Sequence, residues 1–67
     1  MNVYLIHEDT EEDVIFKSKE KAFEYFYSLI GEDEIENKDE VEEDGDYPYG
    51  YNKYGNFIYM AEAELRD

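Results

Sequence analysis

SKEKAFEYFYSLIG, residues 18–31, carries the clearest periodic signal in the chain. Its apolar and aromatic positions, Ala22, Phe23, Phe26, Tyr27, Leu29 and Ile30, follow the three-and-four spacing that gathers side chains on one face of a helix. Ser18 offers an N-cap hydroxyl to a free backbone N–H of the first turn, and Glu20 lies where the helix dipole favours an anion. Lys21 stands where a glutamate would complete a capping box. Gly31 is expected to end the helix as a left-handed C-cap. A helix over about 19–30 with one apolar stripe requires a second layer to cover it.

The flanking segments supply that layer. NVYLIH, residues 2–7, sets Val3, Leu5 and His7 against Tyr4 and Ile6, a strand with both faces partly covered. An acidic run, Glu8 to Asp13, leads into DVIFK, a short second strand with Val14 and Phe16 on one face, and a hairpin is the economical connection. At the other end NFIYMAEAEL, residues 56–65, places Phe57, Tyr59, Ala61, Ala63 and Leu65 at odd positions and Glu62 and Glu64 at even ones. That alternation reads as a half-buried strand with the odd row inward. Between helix and last strand, residues 32–46 hold ten of the twenty acids and only Ile35 and Val41 as apolar residues, so they read as a loop with at most a helical turn. In the tyrosine-rich turn segment 47–56, Pro48 argues against a central strand.

The expected architecture is therefore a small α+β two-layer domain spanning 1–67. It has a three-stranded antiparallel or mixed sheet (about 2–7, 13–17 and 56–65) and one helix (about 19–30) in the order β-β-α-β. The predicted core is Val3, Leu5, Val14, Phe16, Phe23, Phe26, Ile30, Phe57, Tyr59, Ala61 and Leu65. At 67 residues the chain is near the lower limit for a self-sufficient core.

VYLIHE at the start, FKSKEKAFEYF at the strand-to-helix junction and FIYMAEAEL near the end together resemble a group of small uncharacterised bacterial and phage-borne proteins. The shared features are a strand, a Ser-x-Glu-Lys-Ala helix start, here Ser18 to Ala22, and a C-terminal strand ending in acids and Leu. The resemblance covers about half of the residues. It implies the fold and no chemistry, and the acidic segment 32–46 is where this chain departs from it.

Charge dominates the composition: twenty acids against six bases give a formal net charge of −14, which repels phosphate backbones and anionic membranes and attracts basic surfaces. Direct nucleic-acid binding is not expected on this ground. The chain contains no cysteine, so neither disulfides nor thiolate ligands are available, and a cytoplasmic setting is the simpler reading, that of a host cell if the protein is phage-encoded. The N-terminus lacks a basic region ahead of its short apolar stretch, Val3 to Ile6, so neither a signal peptide nor a membrane span fits.

No catalytic or cofactor signature appears. If Gly45 is aligned with the glycine of a calcium loop, Glu40, Glu42 and Asp44 take ligand positions, but the closing bidentate carboxylate becomes Tyr51, and Pro48 interrupts the loop. His7 is the only histidine, so no two-histidine metal site forms within one chain. Ser18 and Ser28 are the candidate nucleophiles, and both are better explained by helix positions. The expected protein is not an enzyme, and no metal or cofactor is assigned.

What remains is the surface. In extended backbone alternate residues lie about 6.6 Å apart. Glu32, Glu34 and Glu36, then Glu40, Glu42, Asp44 and Asp46, would form carboxylate ladders, joined by Asp39 and Glu43. In a helix Glu32, Glu36 and Glu40 would repeat at about 6 Å. Duplex DNA carries about one charge per 3.4 Å on each strand, so either ladder approximates every second phosphate. Tyr47, Tyr49, Tyr51 and Tyr54 add an aromatic patch beside the acids. The leading functional expectation is a non-catalytic inhibitor that mimics nucleic-acid charge and blocks a basic groove of a host nucleic-acid-binding protein, in the manner of phage anti-restriction or anti-CRISPR proteins. The alternative is a small protein-binding adaptor or structural module acting through a sheet edge or the tyrosine patch, and either reading allows a homodimer.

Overall fold

A computed structural model describes residues 1–65. The chain runs β1 (Asn2–Glu8), β2 (Val14–Phe16), α1 (Lys19–Leu29), a 3-10 turn (Glu32–Glu34), α2 (Lys38–Asp44), β3 (Tyr49–Tyr51) and β4 (Phe57–Glu64). All strands pair antiparallel in the order β2-β1-β4-β3. Among the described residues the sheet thus has four strands and there are two α-helices, which corrects the expected three-stranded, one-helix arrangement. The first and last strands lie side by side at the centre, in register from Asn2↔Glu64 to Glu8↔Ile58.

Helix α1 starts where Ser18 Oγ accepts from Lys21 N at 3.3 Å. It ends without a left-handed residue: Ile30 is extended at φ −134° and its N–H donates to Phe26 O at 3.0 Å. Gly31 has φ −60°, so the expected glycine cap is not there. The left-handed glycines are Gly45 (φ 73°), which caps α2, and Gly55 (φ 81°), in the β3–β4 turn. At both, a Cβ would crowd the backbone, and glycine removes that cost.

Beneath α1 lies the core: Ile6, Ala22, Phe26, Ile30, Ile35, Ile58 and Met60, all buried, with Tyr4, Phe16, Phe23 and Leu29 among the partly buried residues packed against it. Full burial of side chains such as Phe26, Ile6 and Ile58 stabilises by roughly 1.5–3 kcal/mol each. The strand phase here is opposite to the one expected. On β4 the even residues Ile58 and Met60 face the helix, while Phe57, Tyr59 and Ala61 are only half-buried and Leu65 is exposed. Register carries the same division to β1: Ile6 opposes Met60, whereas Leu5 opposes Ala61 and Val3 opposes Ala63. Val3 is buried but outside the cluster under the helix, and Leu5 is half-buried. Val14 opposes Ile6 and Phe16 opposes Tyr4, so these two half-buried residues belong to the helix side.

The physical reason is local. Both rows of β4 are apolar as far as Ala61, and the carboxylates that seemed to mark an outer face act at the end of the strand. Glu62 accepts there from Tyr47 Oη and from Asn2 Nδ2. Aliphatic Ile58 and Met60 lose nothing by full burial, whereas the Tyr59 hydroxyl is better hydrated on the open side.

The acidic segment is structured. Its short helix α2 has acids in the first turn, Asp39 and Glu40, where the dipole favours them, and no base in the last turn. What docks it is the stretch just before. Glu36 N donates to Tyr49 O at 3.0 Å, and Ile35 forms an isolated antiparallel bridge with Gly50. A Cβ at Gly50 would lie 3.4 Å from Glu34 O and 3.6 Å from Glu36 N, so the two backbones meet closely because position 50 has no side chain. Pro48, buried, precedes the short edge strand β3, and its carbonyl accepts from Met60 N at 3.0 Å. Proline can lead into an edge strand at no loss of a ladder donor, which is how this strand escapes the rule against central prolines.

Candidate functional site

Two surfaces gather the residues that the sequence singles out. The first is acidic. Glu32, Glu34, Glu36, Asp39, Glu40, Glu42, Glu43, Asp44 and Asp46 are all exposed. They do not form one regular ladder. A 3-10 turn carries Glu32 and Glu34, a turn ahead of α2 carries Glu36, and α2 carries Asp39 to Asp44. Neither continuous spacing expected from the sequence is therefore realised. Helical backbone over Glu40, Glu42 and Asp44 also removes the alternating projection that a calcium loop needs, with Gly45 serving as a helix cap. Among the described residues, no three His, Asp or Glu side chains are grouped so as to hold a metal ion.

Within this strip one ion pair is present, Lys38 Nζ to Asp33 Oδ1 at 3.0 Å, both groups well exposed. Hydrogen bonding to Asp33, and then its charge, raises the Lys38 pKa. Burial, with smaller contributions from Glu32 and Glu42, raises that of the nearby Tyr27 phenol. The β1–β2 turn brings a second set of acids to the same end of the molecule. Glu8 from the end of β1, Glu11 from that turn, Glu34 from the 3-10 turn, Ser28 and Leu29 from the end of α1, and Lys53 and Tyr54 from the β3–β4 turn line an open groove of about 490 Å³, three acids facing one base. Glu34 thus shares one concavity with acids 23 and 26 positions earlier in the sequence. The C-terminal end of α1 borders it with the negative pole of its dipole and has no base in its last turn.

The second surface is aromatic, and it divides the predicted tyrosines. Tyr47 turns to the helix side: its hydroxyl donates to Glu62 Oε2 at 2.7 Å, its ring lies 6.3 Å from Tyr4, and Lys19 stands 5.3 Å over it. Hydrogen bonding to Glu62, then burial, pushes its pKa up to about 12. Tyr54 sits at the tip of the β3–β4 turn, 76% exposed, with Lys53 5.1 Å from its ring centre. Only Tyr49 and Tyr51 lie on the uncovered sheet face, opposite Tyr59 and Phe57 of β4. There the rings form a connected row: Tyr51 to Phe57 at 5.4 Å, Tyr49 to Phe57 at 6.0 Å, Phe57 to Tyr59 at 5.9 Å and Tyr59 to His7 at 5.1 Å. His7 Nδ1 in turn lies 2.6 Å from Asp13 Oδ1.

Phe57, Tyr59 and His7 were not among the expected contact residues. The signal that could have found them is the shared parity of 49, 51, 57 and 59 across a turn: all four fall on one face of the antiparallel pair. The hydroxyls considered for catalysis are engaged locally. Ser18 caps α1, and Ser28 Oγ donates to Tyr25 O at 2.6 Å. Among the described residues no helix is long and apolar enough to cross a membrane. Comparison with known proteins finds no matching family model, no matching curated protein and no matching solved structure.

Proposed function

We propose that this chain is a non-catalytic acidic binding protein that occupies a basic, nucleic-acid-gripping surface of a partner protein, its carboxylates standing in for phosphates. One observation carries the reading: acids from the end of β1, the β1–β2 turn and the 3-10 turn converge on one groove beside the C-terminus of α1, where three carboxylates outnumber the one base, Lys53. At a net charge of −14 the whole molecule adds to that local field, which speeds encounter with a cationic partner and rejects anionic ones. The partner contemplated is a host nucleic-acid-binding protein, and inhibition follows from competition for its groove.

Affinity capture from a nuclease-treated lysate, followed by a salt titration of the recovered complex, tests this. The expected partner is basic, is released by added nucleic acid, and loses affinity steeply as ionic strength rises. Recovery of neutral or acidic partners alone, with a shallow salt slope, removes the proposal.

A further inference from the structure

The four-stranded sheet is covered by α1 on one face only. Its other face carries the ring row Tyr51, Phe57, Tyr49, Tyr59 and His7, flanked by the aliphatic Leu5 and Ile15, the last 62% exposed. Tyr49 and Tyr51 are themselves 42% and 51% exposed. An uncovered apolar face on a small domain at the edge of self-sufficiency is a surface that something else covers.

Charge selects the occupant. A second copy would bring another −14 against the first, which disfavours self-association of this face. Aromatic faces are the negative ends of ring quadrupoles and attract cations, guanidinium above all because it also stacks flat. Two of the chain's five lysines already stand over other rings. Lys19 stands over Tyr47 and Phe23, and Lys53 over Tyr54, while among the described residues no cation stands over the row on the open face. Asp13, in contact with His7, and Lys17, directly after β2, are among the charges that border the face at the two ends of β2.

We infer that the open sheet face is a stacking platform for arginine side chains of a basic partner protein, with Tyr49, Tyr51, Phe57 and Tyr59 as the floor and Asp13 at one end as the anionic stop. This rests on the cationic-partner reading above and assigns the primary contact to the face opposite α1 rather than to the acidic groove. The acids then steer the encounter, and the rings hold the partner.

Two peptides of equal charge, deca-arginine and deca-lysine, are the probes, added to the isotope-labelled full chain and followed by amide chemical shifts. Deca-arginine is expected to bind about fivefold tighter than deca-lysine, with the largest shifts in β3, β4 and His7. Tyr49→Ala with Tyr51→Ala is expected to abolish that preference, and Tyr49→Phe with Tyr51→Phe to keep it. The shift map on the unaltered chain does not depend on either variant folding. Equal affinities with shifts confined to residues 8–13 and 32–46 would overturn the platform while leaving the charge-driven function standing. Failure of both peptides to bind at low salt would overturn both. Sedimentation as a dimer that Tyr51→Ala dissociates would also overturn it, giving the face to a second copy.

Discussion

Asn37 holds Tyr49 as a neighbouring strand would: its Oδ1 accepts from Tyr49 N at 3.0 Å, while its Nδ2 donates to Tyr47 O at 2.9 Å. The side chain is nearly buried, at 5% exposure, and it ties the acidic segment to the sheet edge. Asn37→Ala leaves a backbone donor and an acceptor without their partners, and is expected to cost about 2–3 kcal/mol in urea unfolding. Asn37→Asp keeps the acceptor for Tyr49 but turns an anion toward the Tyr47 carbonyl. It should be no better than the alanine. A change below about 0.5 kcal/mol for Asn37→Ala would mean that the segment is not anchored this way.

The phase of β4 is tested by two adjacent truncations. Ile58 is completely buried beneath α1, and Tyr59 is half-buried on the open face. Ile58→Ala is expected to cost about 2–5 kcal/mol, which in a domain of this size means loss of the folded state. Tyr59→Ala forfeits part of one ring row and should leave a folded protein by amide dispersion. The reverse ranking would restore the odd-inward strand.

Two glycines invite opposite outcomes. Gly31 has φ −60° with open space where a Cβ would go, so Gly31→Ala is expected to stabilise by about 0.4–1 kcal/mol through the unfolded chain. Gly45, at φ 73°, has equal space but the wrong backbone. Gly45→Ala should cost about 1 kcal/mol, and Gly45→Asn less. Thermal melting of the pair would show the two midpoints moving apart.

Tyr47 makes the fold sensitive to strong alkali. Its folded pKa, pushed up from 10.0 to about 12 chiefly by the hydrogen bond to Glu62, means that the folded state holds this proton more tightly than the unfolded chain. The stabilisation is complete below pH 10.0 and is lost as pH climbs through about 12. An ultraviolet titration should show a phenol ionising near pH 12 that Tyr47→Phe removes. Because the pair is exposed, Tyr47→Phe should cost no more than about 1 kcal/mol at neutral pH.

How much of this was readable beforehand depended on whether a signal was local. Helix α1 and its Ser18 cap follow from spacing and one hydroxyl, and both are present at those residues. The side of β4 that faces the helix could not be read from alternation, since Phe57, Ile58, Tyr59 and Met60 are apolar on both rows. The decision rests on which row α1 happens to cover, a tertiary fact. Strand β3 was hidden by Pro48 and by its length of three residues, and α2 by having Val41 as its single apolar residue. Each is held by contacts distant in sequence, Pro48 to Met60 and Asn37 to Tyr49. The exposure of the acids was evident from composition. Their meeting with the β1–β2 turn was not, because it depends on the hairpin and the 3-10 turn reaching one end of the sheet.

The bridge of Ile35 to Gly50 has an effect on how copies of this chain can meet. Glu36 and Asn37 occupy the outward hydrogen-bonding groups of Tyr49, so an incoming strand finds that flank taken. The opposite flank, β2, has no such cover among the described residues. A ribbon that can be extended on one flank can be joined once and then terminates; a fibre needs two. A segment carrying half of the acids in the chain thereby acts as a stop against polymerisation, independent of any partner it meets.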